Sequence, residues 1–159
     1  MPETKTYHAS DYTESMGLAM AYWQNAAPLE VTHDGINFEL LANYPYPDEI
    51  IGGDSGCLVI LDDERLFLAG GSFYQGTSKA FIYNKSNNTW RAVGDMAQPR
   101  SQHSCGLVKS SSGSGYYVAV VGGIRHGYTR IQPIEIFSVD TETWQEGWYT
   151  VKHCQRCSS

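Results

Sequence analysis

Apolar positions in the middle of the chain come in short runs that alternate with turn-forming residues. Two of these runs end in a glycine pair: Leu66-Phe67-Leu68-Ala69-Gly70-Gly71 and Tyr117-Val118-Ala119-Val120-Val121-Gly122-Gly123, with the pairs 52 residues apart. After each pair comes a polar loop and then an alternating strand, Ala80-Phe81-Ile82-Tyr83 or Ile134-Glu135-Ile136-Phe137. A tryptophan stands seven residues beyond the last aromatic of each, Tyr83 to Trp90 and Phe137 to Trp144. Runs of this length bounded by turn signals are strands rather than helices. The second copy predicts four of them, Gly56–Leu61, Leu66–Gly70, Ala80–Tyr83 and Thr89–Val93. A weaker copy precedes these. Val31 and Phe38 are also seven apart, separated by His33-Asp34-Gly35, and Asp-Gly is a strong hairpin signal. Phe38 precedes Trp90 by 52 residues, and Trp90 precedes Trp144 by 54. Self-similarity at a fixed period is the mark of a repeat architecture.

Strand, Gly-Gly, a spaced Tyr or Phe and then Trp, at a period near 50, resembles the kelch motif. The joining segment Trp90-Arg91-Ala92-Val93-Gly94-Asp95-Met96-Ala97-Gln98-Pro99-Arg100-Ser101-Gln102-His103 is similar to kelch linkers, which often read W…L…MP.PR..H. The resemblance runs from about Gly56 to Gly147 and implies an all-β fold of kelch-type β-propeller blades, each a four-stranded antiparallel meander. In such a blade Gly70, Gly71, Gly122 and Gly123 let the backbone leave the second strand tightly. Tyr83, Trp90, Phe137 and Trp144 would pack between blades.

The expected organisation is an N-terminal segment over 1–16, poorly ordered; a degenerate blade over 17–46; kelch repeats over 47–98 and 99–147; and an irregular tail over 148–159. Propellers close with about four to eight blades. Two full units and part of a third therefore leave an incomplete ring, expected of a fragment. Its open blade edges expose unpaired backbone groups and permit self-association.

Composition adds limits. Sixteen Gly, eleven Tyr and 13% aromatic residues suit turns and pleated surface. A net charge of −6 argues against a nucleic-acid partner, and no apolar run approaches a membrane span. Met1–Ser15 lacks the apolar core of a secretory signal. The chain is expected to be intracellular if that start is genuine, and extracellular if a signal precedes it. Four cysteines are too few for a disulfide scaffold. Cys57 and Cys105 fall in apolar runs, Cys154 and Cys157 in a polar tail.

Meander topology sorts the loops onto two faces. One collects Asp62, Asp63, Glu64, Asp140 and Glu142, with two sequons, Asn84-Lys85-Ser86 and Asn87-Asn88-Thr89. The other collects Tyr74, Lys79, Arg100, His103, Arg125, His126, Tyr128 and Arg130. Arginine forks and aromatics dominate binding hot spots. Tyr74, Arg100, Arg125, Tyr128 and Arg130 are therefore the expected partner-binding residues, facing a protein or an acidic peptide. The function expected is that of a protein–protein interaction module, not an enzyme, with no cofactor. The alternative is a remnant of a kelch-type copper oxidase or carbohydrate-active enzyme. Against it, His33, His103 and His126 lie in different repeats without a paired spacing. His153-Cys154-Gln155-Arg156-Cys157 is half of a zinc site at most, and Asp62-Asp63-Glu64 reads as a solvated turn.

Overall fold

A computed structural model describes residues 8–22, 28–43, 55–72, 75–111, 115–145 and 149–150. The first sheet is a meander of β1 (His8–Thr13), β2 (Gly17–Tyr22), β3 (Pro28–Thr32) and β4 (Glu39–Asn43). The second is a meander of β5 (Cys57–Ile60), β6 (Arg65–Ala69), β7 (Ala80–Asn84) and β8 (Thr89–Ala92). The third begins with β9 (Ser104–Lys109) and β10 (Tyr116–Val121). A two-stranded ribbon interrupts it, β11 (Ile124–Arg125) and β12 (Thr129–Arg130), with the 3-10 turn His126–Tyr128 at its tip. The sheet resumes with β13 (Pro133–Ser138), whose free edge pairs with β14 (Thr143–Trp144) and then β15 (Tyr149–Thr150). All pairings are antiparallel. The three sheets are antiparallel meanders with the form of propeller blades, their first strands adjoining in sequence, β1 beside β5 and β5 beside β9.

The first three strands of the second blade do not alternate between buried and exposed, and the packing explains why. Leu58, Ile60, Leu66, Leu68 and Tyr83 face the first blade, where Ala9, Ala19, Ala21, Leu29, Val31 and Leu41 meet them. The intervening Cys57, Val59, Phe67, Ala69, Ala80 and Ile82 face the third blade and meet Val118, Val120, Phe137 and Val139. A blade buried on both faces reads as a continuous apolar run. Trp90 and Trp144 occupy equivalent places. Trp90 packs at a tilt on Tyr83, ring centroids 5.2 Å apart, and donates its indole N–H to Ala42 O of the first blade. Trp144 meets Phe137 edge-on at 5.2 Å and donates to Gly94 O, just beyond the second blade's last strand.

Three sequence expectations are corrected. The first blade begins at His8, not Gly17, so the segment 1–16 contains a strand. Ala9 is buried there, and Asp11 accepts the Ile60 N–H at 2.7 Å across the blade boundary. Short and polar side chains hide that strand in the sequence. Phe38 does not match Trp90. It precedes β4 and is 47% exposed, while Val31 pairs with Glu39. The turn between them is a six-residue loop in which Asp34 accepts the Ile36 and Asn37 N–H groups, each at 2.8 Å. Finally, Tyr149–Thr150 extends the third blade's fourth strand, so 148–159 is not irregular throughout.

Candidate loop-rim binding site

The connection between β10 and β13 folds as the two-stranded ribbon of β11 and β12. Gly123 leaves β10 at φ 92°, and Ile124 pairs with Arg130 and Arg125 with Thr129 to make the ribbon. Gly127 and Tyr128 close its tip in the left-handed region, at φ 74° and 57°. Arg125, His126, Tyr128 and Arg130 are all exposed, Tyr128 by 64%. Residues paired across an antiparallel ribbon share a face, and neighbours alternate. Arg125 and Arg130 therefore lie on opposite faces of the ribbon and do not form one cationic patch. Arg125 donates to Gln98 Oε1 at 3.0 Å, which ties one face of the ribbon to the linker between blades.

Arg100 is not on the rim at all. It is fully buried, and this corrects its assignment as a partner-binding residue. Its guanidinium donates to Gly122 O at 2.8 Å, Pro133 O at 3.1 Å and Glu135 Oε1 at 2.6 Å. Glu135, also buried, accepts the Ala97 and Gln98 N–H groups as well. Gly122 and Pro133 flank the ribbon's two ends, so the Arg100–Glu135 pair fixes its base. Among the described residues the Arg100 Nε has no hydrogen-bond partner.

The linker 100–103 threads between the glycine pairs. Arg100 bridges to Thr77 and Ser101 to Ile124. A Cβ on Gly70 would come within 2.2 Å of the His103 ring, and one on Gly123 within 2.6 Å of Ser101 O. The glycines thus admit the linker as well as turning the strand. His103 lies buried beneath the rim, with Nε2 at 3.0 Å from Ala69 O. A carbonyl partner requires the proton on Nε2. Burial, followed by the nearby Arg100 charge, lowers the imidazole pKa to about 4, against the weaker pull of the Ala69 bond.

Other sequence-predicted residues are dispersed. Tyr74 lies outside the described residues, as do Cys154 and Cys157. Lys79 is paired with Asp95 at 2.7 Å. On the opposite face the acids tie blades together: Asp63 accepts from Ser15, and Glu142 pairs with Arg91 and, at 3.9 Å, with Arg65. Asp62 pairs with Arg65 at 2.7 Å, within its own blade. Among the described residues no three His, Cys, Asp or Glu side chains converge as a metal-binding group. Two features escaped the sequence. One is a disulfide joining Cys57 of β5 to Cys105 of β9, with Cα atoms 5.8 Å apart. The other is a groove of about 730 Å³ on the outer face of the third blade, lined by Tyr117, Ala119, Val121, Ile134 and Ile136 among others. Counted from the glycine pairs, Ala119 and Val121 correspond to Phe67 and Ala69, which the third blade covers. The cysteines gave no pairing signal beyond their apolar setting.

The family model described as Kelch motif matches residues 50–97, a span that takes in all four strands of the second blade. No curated protein matches the chain.

Proposed function

We propose that this kelch-type module binds a protein or peptide segment rich in carboxylates through the ribbon between β10 and β13. The observation that carries the reading is the ribbon itself: a two-stranded element with Arg125, Tyr128 and Arg130 exposed, anchored at its base by the buried Arg100–Glu135 pair. A rigid presentation lowers the ordering cost that a flexible loop would add on binding. Guanidinium groups pair bidentately with carboxylates, and tyrosine contributes flat contact area with a polar tip. The two arginines lie on opposite faces, so a partner either straddles the ribbon or uses one arginine with Tyr128.

A binding titration tests this with the full chain and Arg125→Ala, Tyr128→Ala and Arg130→Ala variants, each checked for folding by circular dichroism. Hot spots are few. One or two of the three should lose about 2 kcal/mol or more, as expected for a desolvated, hydrogen-bonded charge pair. Arg→Lys at the same site should also weaken binding, because Lys offers only a point charge. If all three retain affinity while Asp62→Ala or Glu64→Ala abolishes it, the partner uses the opposite face.

A further inference from the structure

We infer that the chain matures in an oxidising secretory compartment and carries an N-linked glycan on Asn87. Two independent features meet here. Cys57 and Cys105, in the first strands of adjoining blades, are joined by a disulfide. Such bonds persist in oxidising compartments and are rare in reducing ones. The β7–β8 turn, Lys85–Asn88, lies in the stretch that carries two consecutive acceptor sequons, Asn84-Lys85-Ser86 and Asn87-Asn88-Thr89. The enzyme that uses such sequons works in the lumen where disulfides form.

The geometry selects Asn87 over Asn84. Asn84 is the last residue of β7, half-buried, and stands in register between Arg65 and Thr89 of the flanking strands. Its Oδ1 accepts from Ser86 N at 2.9 Å and Ser86 Oγ at 2.6 Å, folding the carboxamide back onto the turn. Asn87 is exposed at the tip. Its Oδ1 accepts the Thr89 hydroxyl at 2.7 Å, the counterpart of the Ser86–Asn84 bond, and neither bond involves Nδ2, the atom that would carry the sugar; exposure at the turn tip, outside the strand ladder, is what favours Asn87. The neighbouring Asn88 holds the turn rigid by accepting from Ala42 N and Tyr83 Oη, each at 2.8 Å. A glycan on Asn87 therefore projects from the acidic face without disturbing the blade boundary, and leaves the opposite face, with the ribbon, open. In the transfer, an oligosaccharyl group moves from a lipid-linked diphosphate donor. The C1–O bond to phosphate breaks, and the lipid diphosphate leaves with the electron pair. A C1–N bond forms to Asn87 Nδ2, which gives up one proton to the transferase. Forming the disulfide passes two electrons and two protons from the thiols to a disulfide-bearing oxidoreductase.

The test is peptide mapping of the protein isolated by antibody from the cells that make it. Free thiols are alkylated without reduction, and glycans are removed enzymatically in heavy-oxygen water, which converts a glycosylated Asn to labelled aspartate. The expected result is label at position 87 and none at 84, with the Cys57 and Cys105 peptides joined. In cells that route the full chain into the secretory lumen, Asn87→Gln and Thr89→Ala should abolish the mobility shift on glycan removal. Asn84→Gln and Thr89→Ser should keep it. Alkylated Cys57 and Cys105 with no label would overturn the compartment and the glycan together. A joined disulfide without label at 87, or label at 84 instead, would overturn the site.

Discussion

Replacing Arg100 with Met should unfold this protein far more readily than replacing any arginine on the ribbon. Met fills much of the space of the Arg stem, so the loss is chiefly polar. Three acceptors lose their donor: Gly122 O, Pro133 O and the Glu135 carboxylate. Glu135 stays buried and keeps, among the described residues, the Ala97 and Gln98 N–H groups. Breaking a buried ion pair by removing one partner costs about 3–5 kcal/mol, because the remaining charge is stranded. That is a large part of the stability of an ordinary domain. The assay is urea unfolding followed by tryptophan fluorescence, since Trp90 and Trp144 report on the two blade boundaries. Adding Glu135→Gln removes the stranded charge, so the double variant should be less destabilised than the two single losses added, by about 1 kcal/mol or more. Arg125→Met, whose side chain is exposed and meets only Gln98 among the contacts described, should fall within about 0.5 kcal/mol of wild type. A loss below about 1 kcal/mol for Arg100→Met, with the cycle additive, would refute the structural role and return Arg100 to the binding surface.

Other outcomes follow from the same packing. Trp144→Phe keeps most of the ring against Phe137 and Phe67 but removes the bond to Gly94 O. It should cost about 1 kcal/mol, and Trp144→Ala or Trp90→Ala about 3 kcal/mol or more, as measured by urea unfolding. His103 binds protons more weakly folded than unfolded, with a pKa of about 4 against 6.5. Its contribution is thus intact above pH 6.5 and is lost as pH falls towards 4, by about 3 kcal/mol in full; His103→Gln should flatten that limb of a stability–pH curve. Reducing the disulfide, which spans 48 residues, should cost about 4 kcal/mol on the chain-entropy account. Thermal melting with and without reductant, beside Cys57→Ser/Cys105→Ser, checks it.

The second and third blades were legible because their signals are local. The glycine pairs, the aromatic-to-tryptophan spacing and the apolar runs each sit within a few residues, and the strands they predict fall within one or two positions of those observed. The first blade was only half legible. Its β1 and β2 rely on Ala9, Ala19 and Ala21 against the larger Leu58, Ile60, Leu66 and Leu68. Small residues facing large ones bury well but carry little hydrophobic pattern of their own. The Val31–Phe38 spacing imitated the later repeats, but the Asp34-centred loop has six residues where the later blades have four, so Val31 pairs with Glu39 and Phe38 stays in the loop.

The rim was harder to read, and Arg100 shows why. Loop topology assigns a residue to a face but not to a depth, and a charged residue in a linker is by default taken as solvated. Burial of Arg100 depends on Glu135, 35 residues away. It also depends on Gly70, Gly123 and Gly76, which let the linker approach the strand ends. Each of those glycines has a local explanation as a turn residue, so nothing in the one-dimensional pattern demands the linker between them. Only the coincidence of a lone acid on β13, a linker arginine and glycines at both strand exits would have pointed to an internal pair. The same buried pair makes the ribbon a better platform than a bare loop. The arginine that the loop topology assigned to the rim is what holds the base of the ribbon in place.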